Sequence, residues 1–282
     1  MNIQILNHDR VLQLLPERKI DAHKGDCGRI LLLCGSRGYT GAAALAAMGA
    51  LRTGVGLVFL GVPECIYEIE AVKLTEPIVF PLPDADGMLS ADATELISWR
   101  LDSVDAVLVG PGIGCSDGTR EVVKTILARY KGPVVLDADG INVLQAHRDV
   151  LRGRKYPTVL TPHMGEFARL GGKCMEERLL AAKAMAADLG VVLLLKGHET
   201  VITNGSAAYV NHTGNPGMAV GGSGDVLAGI ITSLLGQGME PMEAAACGAW
   251  LHGAAGDICA KEIGMYGLLP TDMIRVLPRL MK

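Results

Sequence analysis

The sequence predicts an α/β fold in which a mostly parallel central sheet is sandwiched between two layers of helices, a three-layer α/β/α arrangement. Two observations carry this. Short runs such as RILLLC (29–34) and VVLLLK (191–196) are almost wholly apolar, as strands covered on both faces must be. These runs alternate with longer stretches of helical spacing, and strand–loop–helix units repeated in this way build parallel sheets. No Pro- or Ser-rich linker, low-complexity tract or internal repeat interrupts the 282 residues, so a single domain over 1–282 is expected.

In chain order, residues 11–15 form a short amphipathic pattern that stops at Pro16 and suits an outer helix. The strand at 29–34 leads through the loop GSRGYTG into an alanine-rich helix at 42–52, then a strand at 57–62. Helical spacing follows Pro63, residues 77–82 read as a strand, and Ser90 caps a helix with acidic early turns. The strand 105–109 ends in GPGIG before a helix at 117–130. Strands at 133–136 and 158–161 follow, with a short helix after Asp139 and helices at 165–170 and 175–189. After the strand 191–196, residues 201–203 and 207–210 make a terminal hairpin turning at Asn204-Gly205. A helix opened by glycines at 221–224 comes next, then helices at 241–261 and 271–280.

Composition narrows the partners. Lys and Arg total 26 against 30 Asp and Glu, a formal net charge of −4, which gives no electrostatic footprint for nucleic acid or an acidic membrane surface. The run nearest to a membrane span, 244–256, has thirteen residues without a charge, short of the ~20 a membrane helix needs. The first residues lack a secretory pattern, and seven scattered cysteines without a CxxC pair read as reduced thiols, so a cytoplasmic protein acting on small molecules is expected. Glycine is abundant at 36 residues, which suits tight turns and close backbone approach to ligands.

The stretch that organises the rest is GGSGD, residues 221–225, directly before the apolar helical run Val226, Leu227, Ile230, Ile231, Leu234, Leu235. The unpaired N–H groups and the dipole at such a helix end attract a phosphate, and Gly221, Gly222 and Gly224 let it approach the backbone. Asp225 places a carboxylate beside that anion site. Repulsion disfavours this unless the acid has a task, such as deprotonating a hydroxyl that attacks the bound phosphoryl group. A lone GGxGD more often supplies only a favourable acid in a first helical turn, so other loops must add weight.

Ligands of open parallel sheets bind outside the carboxyl ends of the strands. Gly35, Gly38 and Gly41 follow the first strand with GxxGxxG spacing, unlike a dinucleotide fingerprint. Gly110 to Gly114 offers backbone alone. Asp137 and Asp139 follow a strand, and Asp139 reads as a cap for the helix at Gly140. His163 and Glu166 share a helical face, too few for a tightly held transition metal; one carboxylate there suits a hydrated Mg²⁺. Lys196, at the end of the most apolar strand, reads by default as a surface lysine, alternatively as a cation facing a nucleotide phosphate.

The succession HKGDCGR (23–29), GSRGYTGAAALAA (35–47), LRTGVGLV (51–58), VGPGIG (109–114), LDADGIN (136–142), TPHMGEFARL (161–170), LLKGHETVI (194–202) and TGNPGMAVGGSGDVLAG (213–229) resembles the bacterial NAD(P)H-hydrate dehydratases of the ribokinase-like superfamily. The resemblance runs in order from His23 to the carboxyl terminus. It implies an ADP-dependent lyase that restores hydrated NADH and NADPH by phosphorylating the ring hydroxyl and eliminating phosphate. It further implies that Asp225 is the base and Gly221, Gly222 and Gly224 the anion hole. Lys196, Gly197, His198, Glu199, Thr200 and Gly224 would contact the adenine nucleotide. Ala42 or Ala43, with Gly112, His163 and Asp225, would contact the hydrate, and Glu166 would attend Mg²⁺. Relatives suggest a homotetramer. The additional amino-terminal epimerase domain of many members has no room before His23, so a separate epimerase is expected as functional partner. A small-molecule kinase of the same superfamily and a non-catalytic nucleotide sensor are the competing readings.

Overall fold

The computed structural model describes residues 3–172 and 177–282. Its strands are β1 (Ile3–Gln4), β2 (Arg29–Leu33), β3 (Leu57–Pro63), β4 (Ile78–Leu82), β5 (Asp84–Ala85), β6 (Met88–Leu89), β7 (Ala106–Val109), β8 (Val134–Leu136), β9 (Thr158–Leu160), β10 (Val192–Leu195), β11 (Thr200–Thr203) and β12 (Ala208–Asn211). Its helices are α1 (His8–Leu14), α2 (Thr40–Arg52), α3 (Glu64–Lys73), α4 (Ala93–Leu101), α5 (Asp117–Arg129), α6 (Asp139–Asn142), α7 (Asp149–Arg152), α8 (Met164–Arg169), α9 (Arg178–Leu189), α10 (Ser223–Gly236), α11 (Pro241–Ile263) and α12 (Pro270–Val276). Ten strands form one sheet in the order β1-β12-β11-β10-β9-β8-β7-β2-β3-β4, and β5 and β6 pair separately. The neighbours from β10 across to β4 are parallel, whereas β11 is antiparallel to both β10 and β12.

Strand patterning explains the layers. Ile30, Leu32 and Cys34 of the first apolar run enter one core with α2, α10 and α11, while Leu31 and Leu33 enter a second with α4, α5 and α9. In β10, Val192 and Leu194 likewise join the first core and Leu193 and Leu195 the second. Successive side chains point to opposite faces, and helices cover both, so the buried positions of these runs, inside the flanking Arg29 and Lys196, are apolar on either face.

Helix α10 is buried along nearly its whole length and packs against α2 with little side chain between them. A Cβ on Gly229 would overlap the Ala46 carbonyl oxygen, and one on Gly49 would lie 2.8 Å from that of Val226. Glycine at both positions therefore sets the interhelical distance. Strand order reverses at β2, with β3 and β4 on one side and β7 to β10 on the other. The crevice of an α/β sheet opens at such a reversal.

Several elements depart from the expectations. The hairpin at Asn204-Gly205 exists, but β1 pairs parallel to β12 and extends the sheet beyond it; two residues are too few to show alternation. Ser90 is not a cap: α4 starts at Ala93, and the Ser90 N–H is held by the Pro83 carbonyl across the β5–β6 hairpin. The short α7 was not anticipated, since four residues show no period. The last predicted helix divides into α12 and a 3₁₀ turn at Leu277–Met281, as Pro278 has no N–H to continue it. The predicted start of α9 at Met175, and Cys174, lie outside the described residues. The other six cysteines are free thiols, and among the described residues no helix is long and apolar enough to cross a membrane.

Candidate active site

The loops after β2 and β7 are knitted together at the reversal. Gly35 N–H donates to the Pro111 carbonyl at 2.8 Å and the Ser36 hydroxyl to that of Gly112 at 2.7 Å. Ala42, in the first turn of α2, faces this loop: a Cβ on Gly112 would sit 2.9 Å from the Ala42 Cβ. Ala42 is partly exposed there, whereas Ala43 is fully buried in the core. Gly110, at φ +141°, passes so close to Asp137 that a Cβ would overlap its carbonyl oxygen, so this loop requires glycine.

Asp137 follows β8 and is almost completely buried. Its Oδ1 accepts from Lys196 Nζ at 2.7 Å and from the Thr161 hydroxyl at 2.7 Å, which joins the ends of three adjacent strands. Lys196 lies a further 3.9 Å from Glu166 Oε2. Burial alone would lower the Lys196 pKa; Asp137, Glu166 and Asp225 together hold it above the usual value, so it stays charged. Lys196 is thus not a surface lysine.

His163 and Glu166 belong to one capping box at the start of α8. Gly165 N–H donates to His163 Nδ1 at 2.9 Å, while the His163 N–H donates to Glu166 Oε2 at 2.8 Å. With Nδ1 accepting, a neutral ring carries its proton on Nε2, which lies 3.3 Å from Glu166 Oε1. The half-exposed imidazole stands over a buried carboxylate.

Helix α10 supplies the remaining pieces. Its cap is Gly222 at φ +91°, and the Val226 N–H makes the first bond back to the Gly222 carbonyl at 3.3 Å. The Ser223 N–H is taken by the Val220 carbonyl, which leaves those of Gly224 and Asp225 without a helical acceptor. Gly224 is therefore inside the first turn rather than before it. A Cβ there would lie 3.3 Å from Lys196 Nζ. Gly221 is exposed, with open space on its side-chain direction. Burial, and then the charge of Asp137, raise the Asp225 carboxyl to about 6 against the pull of Lys196; Asp139 adds to the rise. Such an acid changes charge close to neutral pH, as a general base should.

A cavity of about 580 Å³ opens beside this helix end. Lys196, Gly197, His198, Glu199, Thr200, Asn215, Gly224 and His252 all line it. The volume suits a nucleotide. Ser223 Oγ and His252 Nε2 are 3.2 Å apart in its wall, and burial pushes the His252 pKa down to about 4, so the ring is neutral.

Three pieces escaped the sequence reading. Asp139 does not cap α6, which starts at Asp139 with Ala138 at the cap position; instead its Oδ2 accepts from Gly114 N–H at 3.0 Å and pins the GPGIG loop. Asp137 was visible as an acid at a strand end, yet nothing local pairs it with Lys196. Nothing in the sequence marks His252, in the middle of an apolar helix. Among the described residues no cluster of three or more His, Cys, Asp or Glu forms a metal cage.

This topology is that of ribokinase-like proteins. A ribokinase-like superfamily protein from Enterococcus faecalis superposes with a TM-score of 0.87 at 29% identity, covering 99% of this chain and 95% of that one. An ADP/ATP-dependent NAD(P)H-hydrate dehydratase from Bacillus subtilis, co-crystallised with ATP and Mg²⁺, superposes with a TM-score of 0.84 at 32% identity, covering 99% and 98%. The family model described as NAD(P)H-hydrate dehydratase matches residues 30–279, and the chain belongs to that family. A bifunctional NAD(P)H-hydrate repair enzyme Nnr from Moorella thermoacetica is 46% identical over 274 residues, 95% of this chain and 52% of the relative. The chain spans about half the length of the curated relatives it matches.

Proposed function

We propose that this chain dehydrates the S epimer of hydrated NADH or NADPH with ADP as phosphoryl donor, yielding the reduced dinucleotide, AMP and phosphate. The observation that carries the reading is Asp225: an acid raised to about 6, in the first turn of a helix whose end borders a nucleotide-sized cavity. In this scheme the donor lies along Lys196 to Thr200, and the N–H groups of α10 face its terminal phosphate. The hydrate lies on the side of Ala42, Gly112 and His163; of the two alanines, Ala42 has the exposure this needs. Asp225 takes the proton of the ring hydroxyl as its oxygen attacks phosphorus and AMP leaves. The lone pair of the ring nitrogen then expels phosphate, a far better leaving group than hydroxide, and loss of a proton from the adjacent carbon restores the double bond.

A magnesium ion suits the donor set. Glu166 is a buried carboxylate aimed at the Lys196–Asp137 pair, and a hydrated Mg²⁺ needs only one or two carboxylates besides phosphate oxygens. Glu166 would hold it, and it would neutralise phosphate charge. The exposed apolar residues Ile263, Met265, Tyr266 and Leu269 support self-association, and we propose a homotetramer in the cytoplasm. Sedimentation at four times the chain mass tests the assembly.

The test of activity mixes protein, NADH hydrate, Mg²⁺ and either ADP or ATP, following reduced-nicotinamide absorbance and free phosphate together. Equal, nucleotide-dependent rises are expected, and the faster nucleotide is the donor. A stable phosphorylated product without free phosphate would identify a small-molecule kinase instead.

A further inference from the structure

The run Lys196 to Thr200 lines the nucleotide-sized cavity, yet its backbone is held by a residue that does not, Arg178. Arg178 opens α9, and only Gly190 and Val191 separate α9 from β10, so the start of the helix returns beside the end of the strand. There its guanidinium spans three backbone carbonyls. Nη1 donates to that of His198, and Nη2 to those of Leu195 and Lys196 at 3.2 Å each. The planar fork of an arginine reaches several fixed acceptors at once, which the single ammonium of a lysine cannot do in the same geometry.

These bonds hold a turn whose backbone is unfavourable. Glu199 sits at φ +53°, a left-handed conformation that a residue with a long side chain seldom adopts, and Gly197 at φ +151°. Within the turn, the Thr200 hydroxyl donates to the Gly197 carbonyl at 2.8 Å and lies 3.3 Å from the Gly197 nitrogen. A Cβ on Gly197 would lie 2.8 Å from Arg178 Nη2, so the guanidinium is seated directly against the turn. The C=O and N–H of a trans peptide point opposite ways; drawing the His198 carbonyl to Arg178 therefore turns the Glu199 N–H away from it. The Lys196 carbonyl is drawn to the same guanidinium, which fixes the backbone from which the Lys196 side chain reaches Asp137.

Resting on the nucleotide placement proposed above, we infer that Arg178 is a positioning residue for the phosphoryl donor. It acts through the 196–200 turn, which it keeps in the shape that binds the nucleotide. Without the guanidinium, Glu199 relaxes to negative φ and the turn samples other shapes. Apparent affinity falls with the fraction of time spent in the competent shape, whereas a bound nucleotide restores that shape. The loss therefore falls on donor binding and spares the chemical step.

The experiment measures ADP binding by calorimetry in the unmodified chain, Arg178→Ala and Arg178→Lys, followed by kcat and both KM values with NADH hydrate. In both variants the dissociation constant and KM of ADP should rise about tenfold or more, while kcat at saturating ADP and KM of the hydrate stay within about twofold. Added guanidinium ion, far below denaturing concentration, should recover part of the ADP affinity of Arg178→Ala where sodium does not. Unchanged ADP affinity in Arg178→Ala would overturn the assignment, and so would a fall in kcat with affinity intact. Unmodified affinity in Arg178→Lys would also overturn it, since charge alone would then suffice. If Arg178→Ala is unfolded in a thermal melt, Arg178→Lys decides. The calorimetry contains no hydrate, so a chain that binds ADP in this Arg178-dependent way and converts no hydrate rejects the dehydratase reaction and leaves the role of Arg178 standing.

Discussion

At the scale of single residues, Asp225 carries two opposite consequences. In the function proposed above it is a general base, a role that contributes on the order of 10²- to 10⁴-fold, so Asp225→Asn should lose at least about 10²-fold in turnover while calorimetry still detects nucleotide binding. Unchanged turnover would remove the acid from the mechanism. In the unmodified chain kcat/KM should fall as pH drops through about 6, where the carboxylate takes up its proton. The same shift affects stability. The folded carboxyl titrates near 6 against an ordinary 3.8, so folding is favoured while the acid is protonated and weakened as pH rises between those values. Above pH 6 the ionised acid costs as much as about 3 kcal/mol. Asp225→Asn should therefore melt higher than the unmodified chain at pH 7, with the gap closing toward pH 4. Lys196 behaves the other way. Removing it strands the buried Asp137 carboxylate, and Lys196→Ala should lose about 3 kcal/mol in a denaturant titration, partly recovered by adding Asp137→Asn.

At the scale of elements, the contact between α2 and α10 governs the geometry of the site. Gly229→Ala forces a methyl group into the Ala46 carbonyl and should destabilise the chain by about 2 kcal/mol or more, read as a lowered urea midpoint. Helix α10 was legible in the sequence because glycines, an acid and an apolar period follow one another within 15 residues. The cavity-lining run Lys196 to Thr200 was singled out only by resemblance, because its place after an apolar strand made Lys196 read by default as a surface lysine. The partners of these residues were not. Lys196 and Asp137 are 59 positions apart and Ser223 and His252 are 29 apart; only the stacking of strand ends and of α10 on α11 brings them together. Capping also misled at Ser90, whose hydroxyl makes no hydrogen bond among the described residues and whose N–H closes the β5–β6 hairpin, and at Asp139, whose carboxylate holds the distant GPGIG loop.

At the scale of the whole molecule, short two-sided apolar runs alternating with helical spacing made the layered sheet readable, since strands covered on both faces use that pattern in that succession. The position of the crevice followed less directly: it depends on β7 returning beside β2, a matter of strand order rather than composition. A chain built this way should be held more firmly by its nucleotide. Saturating ADP at about 100 times its dissociation constant adds about 2.7 kcal/mol, which for a domain of this size raises the melting temperature by about 5 °C. Thermal-shift titration checks this, and a midpoint indifferent to ADP and to ATP would contradict nucleotide binding in the Lys196 cavity.

The backbone contact at Gly49 and Gly229 also decides how the molecule can breathe. Two helices locked this closely form one mechanical body, and that body carries both Ala42, beside the Gly110–Gly114 loop, and Asp225. In the function proposed above, ligand entry and release then fall to the cavity-lining segments 197–200 and 212–219. In deuterium exchange, amides in the middle of α2 and α10 should be among the slowest to label, with or without nucleotide, while ligand-dependent protection gathers in those two segments.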